Sequence, residues 1–114
     1  MSELRNTIKA LVVHLPSDEI VDWDTFHSVF QKIFGFPEFY GRNMNAWIDC
    51  MTCLDDPSAG LSNIKLEYGE LALLNITNAE EFKQRCPEQF DALIECSAFV
   101  NHRRDIPILS LMLT

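Results

Sequence analysis

Three nearly continuous apolar runs alternate with segments of helical period along this chain. The runs have the length and character of buried strands, and they cover residues 7–15, 70–76 and 106–113. Between them apolar residues recur at helical spacing, which predicts helices over residues 22–34, 44–54, 79–85 and 87–102. Strands that alternate with helices favour a parallel sheet, and apolar strands of this kind predict helices on both faces of it. The pattern therefore predicts a small α/β sandwich, with a possible extra edge strand at residues 64–66.

Capping residues and a proline predict where the helices begin and end. Asp22 and Asn43 are the expected N-caps of the first two helices, and Gly35 is the expected stop of the first. Thr77 and Asn78 each precede a glutamate at capping-box spacing, so the third helix should start there. Pro87 lacks the N–H group that an uninterrupted helix needs, which separates the last two helices. We find no internal repeat, and 114 residues predict one domain over residues 1–114.

Charge and composition restrict the classes of partner. The chain has 17 acidic and 9 basic residues, for a net charge of -8. A phosphate backbone would be repelled, so direct nucleic-acid binding is not expected, whereas a basic protein would be attracted. Solubility alone explains the acidity equally well. No signal peptide and no apolar run of roughly 20 residues are present, so we expect no membrane contact and a cytoplasmic protein with reduced thiols.

Candidate catalytic and metal-binding groups give weak signals. Cys50 and Cys53 form a CxxC motif, but they lie inside a predicted helix, away from the N-terminus where the helix dipole favours a thiolate. Cys86 and Cys96 are too far apart to complete a zinc site at the usual spacing. Buried structural thiols are the favoured interpretation, and thiol redox chemistry is the alternative. His27 flanks an apolar stripe and should be a half-buried, hydrogen-bonded side chain. We therefore expect no enzyme, no metal and no cofactor.

The most informative stretch is residues 36–54, where an aromatic-rich loop leads directly into a capped helix. Asn45 and Asp49 are spaced i, i+4, so they share one polar face of that helix. A carboxylate on a rigid helix beside a hydrophobic loop is well placed to enter a cationic pocket. A solvated polar face is the alternative interpretation.

This stretch resembles the signature of the barstar family of ribonuclease inhibitors. The matching residues are Pro37, Glu38, Phe39, Tyr40, Gly41, Asn43, Met44, Asn45, Ala46, Trp47, Asp49, Cys50, Met51 and Thr52. Upstream, Phe26-His27 and the FGFP segment at 34–37 also resemble the family without a gap. The order of the predicted elements is similar to the family over nearly the whole chain.

The resemblance implies a barstar-like sandwich, in which a small three-stranded parallel sheet packs with about four helices. It also implies an intracellular inhibitor, an immunity protein or antitoxin, that blocks the active site of a basic barnase-like ribonuclease. Asp49 would occupy the site of the substrate phosphate, and Phe39 would stack on a catalytic histidine. The other implied partner contacts are Gly41, Asn43, Met44, Asn45 and Ile48. We expect such an inhibitor to need no cofactor and to be a monomer when free.

Three departures from the family pattern concern the implied contact residues. Asn45 stands where an aspartate is usual, Ile48 where a tryptophan is common, and Phe39 where a tyrosine is more usual. These changes leave a second hypothesis open, in which the chain is a regulatory interaction domain of barstar fold that binds another basic protein and no nuclease.

Overall fold

The computed structural model describes residues 9–114, which form one parallel sheet and four α-helices. The strands are β1 (Ala10–Leu15), β2 (Leu71–Ile76) and β3 (Leu109–Leu113), in the order β1-β2-β3. The helices are α1 (Trp23–Phe34), α2 (Met44–Thr52), α3 (Ala79–Arg85) and α4 (Pro87–His102). The predicted α/β fold of three parallel strands and four helices is confirmed. Residues 7 and 8 of the first predicted strand lie outside the described residues.

The two faces of the sheet differ in burial. Leu74 at the centre of β2 pairs in register with Val13 and Leu111, and its side chain is buried on the face that the helices cover. On the opposite face Val12 is 46% exposed and Met112 is 38% exposed. The prediction that helices cover both faces is therefore wrong for residues 9–114. Several outward positions, Val12 and Met112 among them, are themselves apolar, so the strands lack the regular alternation that would distinguish an open face from a covered one.

A row of aromatic side chains joins α1 to α2. Phe26, Phe30 and Phe34 are buried on successive turns of α1. The Phe30 ring lies 5.6 Å from the ring of Trp47 on α2, in an edge-to-face arrangement. Aromatic pairs in this geometry add to the free energy of burial. The row therefore fixes α2 against α1, and with it the direction in which the polar face of α2 points.

The predicted caps of the first two helices are confirmed. The Asp22 carboxylate accepts a hydrogen bond from the Thr25 backbone N–H at 2.8 Å, and the Thr25 hydroxyl accepts one from the Asp22 N–H at 3.0 Å. Gly35 ends α1 with a left-handed φ of 67°, a conformation that glycine adopts without steric cost. The Asn43 side chain accepts from the Ala46 N–H at 2.8 Å and caps α2.

Two local predictions are wrong, and one helix is shorter than predicted. Residues 64–66 form no strand, because the Leu66 N–H donates at 3.0 Å to the carbonyl of Leu54 beyond the end of α2. Asn78 does precede α3, but it is left-handed with φ 53°, and its side chain makes no capping hydrogen bond. Asparagine tolerates this backbone conformation, which explains its presence there without a capping role. α2 also ends at Thr52, two residues before its predicted end.

Candidate functional site

Buried residues on one side of α2 leave its polar side facing outward. Trp47 and Met51 are fully buried, and they anchor the helix in the core. Asn45 and Asp49 lie on the outer side, and the Asp49 side chain is 66% exposed. Because the cap at Asn43 and the core contacts hold the helix, the Asp49 carboxylate is presented from a rigid element.

The loop before α2 holds one aromatic ring outside the core. Phe36 and Tyr40 are buried, whereas Phe39 between them is 78% exposed. The Tyr40 N–H donates to the Pro37 carbonyl at 2.9 Å, which closes a turn around Phe39. The Tyr40 hydroxyl and the His27 Nδ1 share a hydrogen bond of 2.6 Å, which ties the turn to α1. Phe39 is thus displayed at the tip of a well-anchored turn.

Phe39, Gly41 and Asp49 line a common surface cavity of about 230 Å³ between the loop and α2. Gly41 lies in the wall of this cavity, where there is little room for a side chain. A Cβ atom there would lie 3.3 Å from Asn43 Nδ2 and 3.4 Å from Ala46 Cβ. A larger residue would therefore press on the cap of α2. The structure brings these three predicted site residues together.

The remaining predicted site residues are distributed differently. Asn43 and Met44 line a neighbouring cavity of about 270 Å³ together with Trp23, His27 and Arg42. Asn45 is exposed one turn before Asp49. Ile48 is only 9% exposed and packs in the core. Ile48 therefore does not join the exposed set, because it falls on the inner edge of α2.

Two arginines that sequence reasoning missed lie at this site. Arg103 follows α4, and its Nη1 lies 3.5 Å from the Oδ1 atom of Asp49. Arg42 pairs with Asp24 on α1 at 2.7 Å and so ties the loop to that helix. The sequence contains no signal for the first pair, since 54 positions separate its members.

The end of α4 is fixed against the end of α2 by the next residue, Arg104. Its Nη1 donates to the Thr52 carbonyl at 2.8 Å, and its Nη2 lies 2.5 Å from the Asp55 carboxylate. The side chains of Arg104 and Asp55 are 14% and 11% exposed, so this ion pair is largely buried. A buried Arg–carboxylate pair with further hydrogen bonds has well-defined geometry. It places Arg103 beside Asp49.

The titratable groups around the site are shifted by burial and by charges near them. Burial, with a smaller contribution from Asp49, raises the pKa of Cys50 to about 11. Such a thiol is mostly protonated at neutral pH and is a poor nucleophile. Burial also lowers the pKa of His27. Over residues 9–114 no three His, Cys, Asp or Glu side chains are grouped to hold a metal ion, and no helix there is long and apolar enough to cross a membrane.

The fold and the site together define a class of small α/β protein, in which one parallel three-stranded sheet supports an exposed loop and a capped helix around a shared cavity. The family model of barstar, described as the barnase inhibitor, matches residues 10–108, from the start of β1 to the residue before β3. The chain belongs to the barstar family. A search of curated protein sequences gave no match. The family description names an inhibitor and no catalytic activity.

Proposed function

We propose that this protein inhibits a basic ribonuclease by covering its active site with residues 36–43 and α2. The observation that carries the proposal is the shared cavity, because an exposed aromatic ring, Phe39, and an exposed carboxylate, Asp49, meet there on rigid elements. Membership of the barstar family supports a ribonuclease as the partner. Inhibition of this kind involves no catalysis and no cofactor in the inhibitor.

Each exposed group has a role that follows from its chemistry. Asp49 offers a negative charge where the nuclease would otherwise bind an RNA phosphate. Phe39 is 78% exposed, and its flat apolar ring is suited to stacking on a ring in the nuclease pocket. Gly41, Asn43 and Met44 form the surface between and beside these two groups. We place the inhibitor in the cytoplasm of the cell that makes the nuclease, as a monomer until it binds.

The experiment is a steady-state inhibition assay with barnase, the enzyme named in the family description, and a panel of related basic ribonucleases. We expect at least one of these enzymes to be inhibited with one-to-one stoichiometry. Because the inhibitor would cover the active site, RNA substrate should compete with it. Absence of inhibition across the panel, together with binding to a basic protein that is not a nuclease, would favour the interaction-domain hypothesis instead.

A further inference from the structure

We propose that the surface around Asp49 enters a cationic pocket of the partner, yet this surface itself contains a cation, Arg103. Arg103 reaches Asp49 at 3.5 Å, and the two side chains are 42% and 66% exposed. We infer that Arg103 is a specificity-determining residue, which restricts the site to partners that set a carboxylate beside the cation that meets Asp49. This inference rests on the proposed function, and it concerns the chemistry of the partner at the same site.

Arg103 is held in this position by more than its contact with Asp49. Its backbone N–H donates to the Phe99 carbonyl at 3.2 Å, and its guanidinium lies 5.8 Å from the centre of the Phe99 ring. The following residue, Arg104, is bonded to Thr52 at the end of α2 and to Asp55 just beyond it. These contacts hold the backbone of Arg103 close to the end of α2, so the charge of Arg103 is part of the surface around Asp49.

Asp49 and Arg103 form an ion pair whose two charges cancel, although the chain has a net charge of -8. An exposed ion pair of this kind is weak, so a cation of the partner can take the place of Arg103 on Asp49. The guanidinium would then be left at the interface, and a charge that is buried without a partner opposes binding.

A partner avoids this penalty if it presents a carboxylate next to its cation. The cation would then meet Asp49 and the carboxylate would meet Arg103, so that both charges on each side are paired. Arg103 also lines a cavity of about 370 Å³, which shares no lining residue with the cavity that Asp49 lines. Each member of the ion pair thus borders a different depression. A pocket of cations alone matches Asp49 and is repelled by Arg103.

The test measures association and dissociation rates of wild type, Arg103→Gln and Arg103→Glu against barnase and each ribonuclease that the protein inhibits. Lys83→Gln is the matched control, because it removes the same charge from the exposed side of α3. Against an enzyme whose pocket is purely cationic, Arg103→Gln should tighten binding about two- to fivefold, and Arg103→Glu further. Against an enzyme with a carboxylate at the matching position, Arg103→Gln should weaken binding. The ratio of affinities across the panel should therefore change, whereas Lys83→Gln should shift every affinity alike.

Two outcomes count against the inference, and they are distinguishable. If Asp49→Ala abolishes inhibition while Arg103→Gln shifts every enzyme by the same factor as Lys83→Gln, the inhibitor function stands and Arg103 has no role in specificity. If no variant inhibits any ribonuclease, the proposed function fails and this inference fails with it. In support, Asp49→Ala should cost more affinity for barnase in the Arg103→Gln background than in wild type, because Arg103 no longer competes for the carboxylate.

Discussion

At the scale of single residues, Asp49 is an exposed carboxylate with one weak ion-pair partner in the free protein. Loss of one member of a charge pair buried in a complex costs about 2–5 kcal/mol, so Asp49→Ala should weaken a cognate complex at least about thirtyfold. The thermal midpoint should stay near that of wild type, since exposed substitutions usually change stability within about 0.5 kcal/mol. Calorimetric titration measures the affinity, with Asp91→Ala on the exposed side of α4 as the control. Equal affinities for the two variants would remove Asp49 from the proposed role.

Asn45 is a second residue at which specificity can be tested. It shares the outer side of α2 with Asp49, and its amide carries no charge. Asn45→Asp should strengthen binding to barnase and make association more sensitive to salt, because exposed charges are screened. Against the natural partner the same change should be neutral or harmful. Rates measured at two salt concentrations decide this, and equal improvement against both enzymes would mean that Asn45 does not set specificity.

His27 gives the protein a predictable response to acid. Burial, then the nearby charge of Arg42, lowers its pKa below 6.5, and Asp24 opposes this shift. The unfolded chain therefore binds a proton that the native state excludes, so stability should fall as pH drops from about 7 through the unfolded pKa toward the lower native one. Urea unfolding at several pH values should show this slope in wild type and in the exposed control His102→Gln. In His27→Gln the slope should be smaller, and an unchanged slope would assign the acid response to other groups.

At the scale of secondary-structure elements, the join between α2 and α4 depends on the largely buried Arg104–Asp55 pair. Arg104→Met would leave Asp55 buried without its cation and the Thr52 carbonyl without its donor. Breaking one side of a buried ion pair typically costs about 3–5 kcal/mol, and we expect a loss of that order in the free energy of unfolding. Arg103→Gln is the control, with a change within about 0.5 kcal/mol. Denaturant unfolding that gives equal values for the two variants would contradict this account of the join.

Sequence reasoning predicted the elements well where local chemistry determines them. The caps at Asp22 and Asn43 and the break at Pro87 are local features, and each is confirmed. The extra strand at 64–66 and the capping role of Asn78 were wrong, because a backbone hydrogen bond to Leu54 and a left-handed turn override the local pattern. The exposure of the outer sheet face depends on which elements pack there, and a continuous apolar run does not encode that.

The site was predicted only in part, because one sequence predicts local features but not the contacts made by packing. The residues from Phe39 to Asp49 are close in sequence, so the loop and helix that carry them could be predicted together. The burial of Ile48 depends on the packing of α2 in the core. Arg103 reaches the site only because the chain returns to α2 after 54 positions. Contacts of that kind have no signature in one sequence.

At the scale of the whole molecule, net charge and site charge act at different stages of binding. The excess of 17 acidic over 9 basic residues attracts a basic partner over distances of about a Debye length, about 8 Å at physiological ionic strength. On the proposed function, close contact would then depend on Asn45 and on the Asp49–Arg103 ion pair. The rate of encounter should therefore follow the whole chain, whereas the lifetime of the complex should follow these side chains.

The long separation between α2 and the arginines that hold it also sets an order of events on the ribosome. The helix that carries Asp49 is made 54 positions before Arg103, and Thr52 is made 52 positions before Arg104. At about 5–20 residues per second, the nascent chain would wait roughly 3–10 s between the two. Until Arg104 emerges, Asp55 has no cation and the end of α2 is not fixed. On the proposed function, the chain would become competent only after Arg104 has been made, and a chain interrupted before that residue would be expected to inhibit poorly.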